Sequence, residues 1–401
     1  MKKSTLIIAA ADVVLAAALG AALIYSSGQI ADVSMQGTAD KWAGSGSDVP
    51  FTAVSYYTDS NSAIDIGTVY NIRTTAQQKI TEQLGENGNG FADCWYGLYN
   101  MSLGGPKGNV SLNCYAVGGS FFDIHESEVL SGSLFNEDSV NIDTVVLDEN
   151  ASWKLFGAVD TAGMTVSAGD KQFYISAVIK APRDGELLKA YDDADGVPFA
   201  YMPYQAVSEI KQEETKFTGY DALMPDSIEK FGYDIIKEAA GYSDESLTSA
   251  LIDSRSRFSI KNMLNASKKL EAQISSKSSV VYPYWEEAER GVYLKVSILY
   301  KAFFIPACLL IASAVYWIFR LCGLAAAGIR AVFGIADKRS EHHKLINYYL
   351  KHGKTELAEE VMTDREKTKY EEKLEAAASE HKENNAEGSA DDKKDDELIS
   401  R

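Results

Sequence analysis

Hydrophobic positions are distributed very unevenly along this chain. Two uninterrupted apolar runs stand near its ends, Leu6–Tyr25 and Ile298–Phe319, and between them apolar residues alternate or recur in short periodic groups. Each run is long enough to cross a bilayer, which takes about 20 apolar residues. Residues 27–297 then lie on one side of a membrane, held at both ends. Lys2 and Lys3 precede the first run, and Arg320, Arg330, Lys338, Arg339 and Lys344 follow the second. Short flanks rich in Lys and Arg stay in the cytoplasm, so both termini read as cytoplasmic and residues 27–297 as extracytoplasmic. The competing reading of the first run is a cleaved signal peptide. The run exceeds the usual length of a signal core, and Ser26 to Ala31 makes a poor cleavage site.

Between the runs the pattern predicts an α+β domain. Residues 31–48 are small and polar and read as a linker. A strand is expected at 49–58 and a helix at 64–84, capped by the Asp59–Ser62 region, with Ile66, Val69, Ile72, Ile80 and Leu84 on one face. Strands at 91–103 and 109–118 flank the turn residues Gly104 to Gly108. This β-α-β-β order marks an α+β layer. Further on, a short helix at 121–124, a strand at 144–147, a helix at 151–156 and a hairpin of 164–167 with 172–179 are expected. Strands at 201–203 and 218–224 follow, then helices at 227–239, with Ile228, Phe231, Ile235 and Ile236 inward, and at 259–274. From Tyr284 the chain can run as one helix through Phe319, with Pro306 inside it as the expected hinge.

The phrases from Tyr115 to Ile179 resemble the MacB-like periplasmic core domain of MacB-type and lipoprotein-release permeases. The matching stretches are Gly119 to Phe122, Leu130 to Phe135, Val145 to Gly157, Val159 to Gly163 and Phe173 to Val178. Ser133 stands where the family has Arg, and Ala177 near a usual Gly. The resemblance implies an inserted β-rich subdomain at about 115–204. It also implies a place in an ABC-type transport or extrusion complex, with ATPase and permease subunits on other chains and the outer domain contacting cargo or those subunits. MacB-type permeases have further spans beyond this point, so a non-catalytic subunit is expected. The rival is a membrane-anchored binding, adhesion or sensing protein built on the same fold, because fold does not fix function.

Charge and candidate chemistry refine this picture. The formal charge is −18, most of it between the two runs. An acidic exterior argues against nucleic acid as a partner, and membrane lipid is the partner of the two spans alone. Of the four cysteines, Cys308 and Cys322 belong to the second run and its exit, while Cys94 and Cys114 fall on two neighbouring expected strands. They are a candidate disulfide or, in a reducing habitat, two buried thiols. Asp12 lies inside the first run, where a carboxylate needs a polar partner or a route to the interface. At the depth of antiparallel helices, Ser313 is a candidate partner, as is a helix of another subunit. His125 is the one histidine between the runs and reads as a surface residue, and Ser256 to Ser259 and Tyr282 to Glu286 read as helix-entry and turn segments. His352-Gly353-Lys354-Thr355 imitates the end of a P-loop but lacks its first glycine. Neither catalytic residues, metal ligands nor a cofactor is expected, and the chain reads as a bacterial membrane protein without enzymatic activity. Residues 320–336 read as an interfacial helix or a re-entrant segment. Residues 337–401 read as a charged tail, with helices broken at Gly353 and disorder from 383 onward.

Overall fold

The computed structural model describes residues 3–44, 49–85, 90–137, 141–192, 196–228, 230–264 and 279–378. It divides into two units, Met1–Leu310 and Ile311–Arg401. The first is an α+β domain built on one ten-stranded sheet, and it begins with helix α1 (Lys3–Ala31).

A second helix, α2 (Met35–Ala43), occupies the stretch that composition marks as a linker. Ser34 caps it by accepting from the Gln36 N–H, and Met35 and Ala39, four residues apart, are buried beneath it. Its small residues hide the periodicity, so burial rather than propensity explains it. Strand β1 (Phe51–Thr58) leads to α3 (Ile66–Leu84), whose buried Val69, Ile72, Ala76 and Ile80 follow the expected face. The cap is Asp65, which accepts from the Thr68 N–H, rather than the Asp59–Ser62 region. Strands β2 (Ala92–Gly105) and β3 (Gly108–Gly119) form a long hairpin.

After α4 (Phe121–Ile124) come β4 (Val129–Gly132), β5 (Thr144–Asp148), α5 (Glu149–Leu155), β6 (Thr165–Ala168) and β7 (Lys171–Ile179). Then follow α6 (Gly185–Asp192), β8 (Phe199–Pro203), α7 (Tyr204–Lys211), β9 (Gly219–Pro225), α8 (Phe231–Ala239), β10 (Ser249–Asp253) and α9 (Ser254–Arg257). In α8, Phe231, Ile235 and Ile236 are buried as expected, but Ile228 precedes the helix and is exposed. The helix expected at 259–274 is described only to residue 264, and the disorder expected from 383 lies outside the described residues.

The strand order is β10-β1-β9-β2-β3-β8-β5-β7-β4, with β6 paired to β7 and bridged to β2. The stretch 115–204 is joined to the rest through the parallel β3–β8 pair, so one sheet runs through both. On one face, α3 and α8 cover Val54, Trp95, Tyr220 and Met224, and α5 and α7 cover Cys114, Val145, Leu147 and Phe173. The opposite face carries Tyr57, Cys94, Tyr96, Tyr115, Phe199 and Tyr201, packed against α2, α4 and residues 282–285.

That face meets the foot of the long helix α10 (Tyr284–Lys351), which passes through Pro306 without a break. The segment 320–336 belongs to α10 rather than forming a helix of its own. The stretch Ile7–Ala31 and the apolar part of α10 are both long and apolar enough to cross a membrane, and their most apolar windows are wholly unburied. Where they meet the domain, Ile30 and Val33 pack with Val292, Val296 and Tyr300. In the second unit, α10 ends at Lys351, and Gly353 (φ 69°) separates it from α11 (Thr355–Val361), as expected. Ile346, Ala358 and Met362 form a small core there.

The disulfide expectation is corrected. Cys94 stands opposite Gly119 in the β2–β3 ladder, and Cys114 stands opposite Tyr99. Five ladder positions at about 3.4 Å each put the two far beyond disulfide reach. They also point to opposite faces of the sheet, into different cores. Both are buried free thiols. Burial pushes the Cys114 thiol up to about 12. Burial, with Asp221 and Asp93 nearby, raises that of Cys94 well above its ordinary value. An alkylating reagent should therefore label Cys94 and Cys114 only after denaturation, and peptide mapping without reductant should find no Cys94–Cys114 crosslink.

Candidate functional site

The segment Tyr282–Glu286, which reads as a turn in the sequence, leads into and forms the foot of α10, packed into an aromatic cluster. Trp285 is packed by Tyr96, Tyr115, Phe121 and His125 at centroid distances of 5.1, 5.0, 5.9 and 4.7 Å. Tyr284 meets Phe199 at 5.1 Å, and its hydroxyl lies 3.2 Å from that of Tyr201. Aromatic pairs of this kind contribute about 0.5–1.5 kcal/mol each beyond the area they bury.

The next residue after Trp285, Glu286, accepts two hydrogen bonds from Arg257, at 2.9 and 2.8 Å. Glu289 lies 3.5 Å from the same guanidinium. All three side chains are buried, at 8, 2 and 1 % exposure for Arg257, Glu286 and Glu289. Arg257 thus fastens α9 to α10. Breaking a buried pair of this type from one side costs about 3–5 kcal/mol, because the charge left behind has no partner. Gly291 lies on another side of the helix, two turns past Tyr284: a Cβ there would meet Glu186 Oε2 at 2.7 Å, so its absence lets α6 approach. Glu186 is bridged to Lys295 and Lys189.

Beside Trp285 lies a second polar group. Tyr96 crosses Gly219, where a Cβ would sit 2.2 Å from the ring, and its hydroxyl donates to Asp221 Oδ2 at 2.9 Å. His125 Nε2 lies 2.9 Å from the same oxygen. Its side chain is 11 % exposed, so the expectation of a surface histidine is corrected: α4 folds it back over the sheet. Two clefts flank the foot of α10. One, of about 570 Å³, has Tyr115, Phe199, Tyr282 and Tyr284 on its walls, with Arg290 and Lys189 among its lining. The other, of about 280 Å³, lies beside α2 and is lined by His125, Phe121 and Trp285.

Of the residues singled out in the sequence, Cys94 alone falls in this region, and Cys114 lies on the far face of the sheet. Asp12 is on α1 and Ser313 on the part of α10 that belongs to the second unit. In the sequence His125 reads as a surface residue and the segments holding Arg257, Trp285 and Glu286 as helix entry and turn, while Glu289 and Asp221 are not singled out at all. One signal was present: Glu286, Glu289 and Tyr293 recur at helical spacing beside Ala288, Val292 and Val296, which puts two carboxylates next to an apolar stripe.

No protein-family model matches the chain, and a search of curated proteins finds no match. Among solved structures, the periplasmic region of MacB from Actinobacillus actinomycetemcomitans is similar to 55 % of this chain over 92 % of its own length, at 17 % identity and a TM-score of 0.36. The extracellular domain of the noncanonic ABC-type transporter YknZ from Gram-positive bacteria is similar to 50 % of this chain over 99 % of its own, at 10 % identity and a TM-score of 0.35.

The ion-pair cluster gives a pH prediction. Burial, only partly offset by Arg257 and reinforced by the charge of Glu286, raises the Glu289 carboxyl from its ordinary 4.5 to about 7. The folded state then holds a proton that the unfolded state releases. The stability this proton provides is fully present below about pH 4.5 and is lost as pH rises toward 7. At about 1.4 kcal/mol per unit, the loss is on the order of 3 kcal/mol. Thermal melts of the full chain in detergent should show wild type losing stability between pH 5 and pH 8. Glu289→Gln should flatten that dependence and melt higher than wild type at pH 8.

Proposed function

We propose that this chain is a non-catalytic, two-span membrane subunit of an ABC-type transport or extrusion complex. Its outer domain contacts cargo or partner subunits and couples to an ATPase on another chain. The observation that carries this reading is the foot of α10. A helix whose first turn is fixed by an aromatic cluster and a buried ion pair continues unbroken into an apolar stretch long enough to cross a membrane. A tether needs only a flexible linker, whereas a helix seated in the domain core passes rotation or displacement of that domain into the span. The packing of Ile30 and Val33 against Val292 and Val296 gives the domain a second fixed point beside the first. The phrase resemblance between Tyr115 and Ile179 supports the same class.

In this reading both termini are cytoplasmic, following the Lys and Arg flanks. The aromatic cleft with Arg290 and Lys189 is a contact surface for cargo or a partner, and Pro306 is a flexible point in the span. Asp12, inside the first span, takes a polar partner on a neighbouring helix. The rival reading, an anchored adhesion or sensing protein, asks nothing of the α10 foot beyond attachment.

Two measurements test the proposal. In a background lacking Cys308 and Cys322, a cysteine replacing Asp170 at the β6–β7 hairpin should react with an impermeant reagent on intact cells. One replacing Glu359 in α11 should react only after lysis, and equal labelling of both would refute the topology. Purified in mild detergent, the chain should bring an ATP-binding-cassette protein with it while binding no ATP alone. Inserting one or two residues between Tyr300 and Lys301 turns the span by about 100° per residue against its anchored foot. These insertions should uncouple that ATPase from the outer domain, and four residues should be better tolerated. Unchanged ATPase behaviour across the series, with normal expression, would favour the anchored rival.

A further inference from the structure

The buried group beside Trp285 places three metal-binding side chains around one point. Cys94 and Asp221 are direct cross-strand partners in the β2–β9 pair, with side chains on the same face. His125, just past α4, reaches over both. One donor atom from each of Cys94, His125 and Asp221 lies within 4.8 Å of the others. Cys94 and Asp221 are fully buried. A thiolate, an imidazole and a carboxylate are the donors that bind zinc and related divalent ions.

Three further observations point to a cation rather than to ordinary packing. Asp221 uses Oδ2 for both Tyr96 and His125, while its buried Oδ1 has no hydrogen-bond partner. A buried carboxylate oxygen without a donor is costly, and a bound cation removes the cost. Arg257 is taken up by Glu286 and Glu289, and the ion pairs among the described residues place only His125 against the buried Asp221 carboxylate, with no Lys or Arg to offset its charge. A cleft of about 280 Å³ beside α2 also reaches the group, with His125 among its lining together with Ser34 and the exposed Lys41.

We propose that Cys94, His125 and Asp221 form a binding site for a zinc-type divalent metal ion, with the remaining coordination position facing the cleft at His125. On binding, Cys94 gives up its thiol proton to solvent and ligates as thiolate. The Tyr96 hydroxyl orients the Asp221 carboxylate from outside the ligand set. The ion joins β2, β9 and the end of α4 directly under Trp285, so its occupancy stiffens the seat of α10.

The test uses the full chain in detergent, in the background lacking Cys308 and Cys322, stripped with a chelator and titrated with Co²⁺. A near-ultraviolet thiolate-to-Co²⁺ charge-transfer band should grow to saturation at one equivalent and be displaced by Zn²⁺. Cys94→Ser should abolish the band and Cys114→Ser should leave it. Tyr96→Phe should lower the affinity roughly 10–100-fold. If Cys94→Ser does not melt cooperatively, His125→Ala decides: loss or shift of the band in a folded His125→Ala variant supports the site. A folded wild-type chain with no thiolate band overturns the proposal. So does a band that persists in Cys94→Ser, or one unmoved by His125→Ala. Absorption of the cobalt d–d type without a thiolate band would assign binding to His342, His343 and His352 in the tail, and would also overturn it.

Discussion

The pairing of Arg257 with Glu286 and Glu289 is the constraint on which the rest of this structure depends. It sits in the first turns of α10, inside the domain, where water cannot stabilise the charges. Removing Arg257 or Glu286 leaves an uncompensated buried ion, so these two residues fix each other's positions and with them the direction in which α10 leaves the domain. A hydrophobic contact of similar area would tolerate sliding. A bidentate guanidinium–carboxylate pair does not, because its two hydrogen bonds are lost together when either group turns. The cost of this arrangement is visible in Glu289, whose Oε1 has no partner and whose carboxyl holds its proton toward neutral pH.

Around that pair the fold distributes its apolar surface so that one face of the sheet is left for the helix foot. The other face is closed by α3, α5, α7 and α8. The face beneath α10 is mostly aromatic, with Tyr96, Tyr115, Phe199 and Tyr201 forming a floor under Tyr284 and Trp285. Large flat rings give directional contacts at low side-chain entropy cost. Their hydroxyls reach polar partners in the same layer, as Tyr96 does with Asp221 and Tyr201 with Tyr284. The result is a mixed polar and aromatic seat, suited to transmitting a displacement between the domain and a membrane helix.

Much of the secondary structure was legible because local chemistry announces it. The β2–β3 hairpin is written by glycines around Pro106 and Lys107, the helix at Phe121–Ile124 by its neighbours, and the break at Gly353 by a backbone angle that glycine adopts readily. The α2 segment was hidden because Gly, Ala and Thr blur its periodicity, and only contact with β1 makes it a helix. The cap of α3 was misplaced by a few residues because several side chains there can cap, and only Asp65 lies where the Thr68 N–H points.

By itself, the sequence determined that two apolar segments flank an acidic α+β domain, because hydropathy and strand or helix period are properties of contiguous residues. It also determined which cysteines lie between the spans, though not that Cys94 and Cys114 face opposite ways. That depends on ladder register, which places them five positions apart on different faces. Only the tertiary structure decided that His125 is folded over Asp221 and Cys94, and that Arg257 meets Glu286 and Glu289. These partners are 29 (Arg257 and Glu286) to 127 (Cys94 and Asp221) positions apart in the chain, and no local pattern encodes a meeting made by sheet order and by the packing of α10 on the sheet.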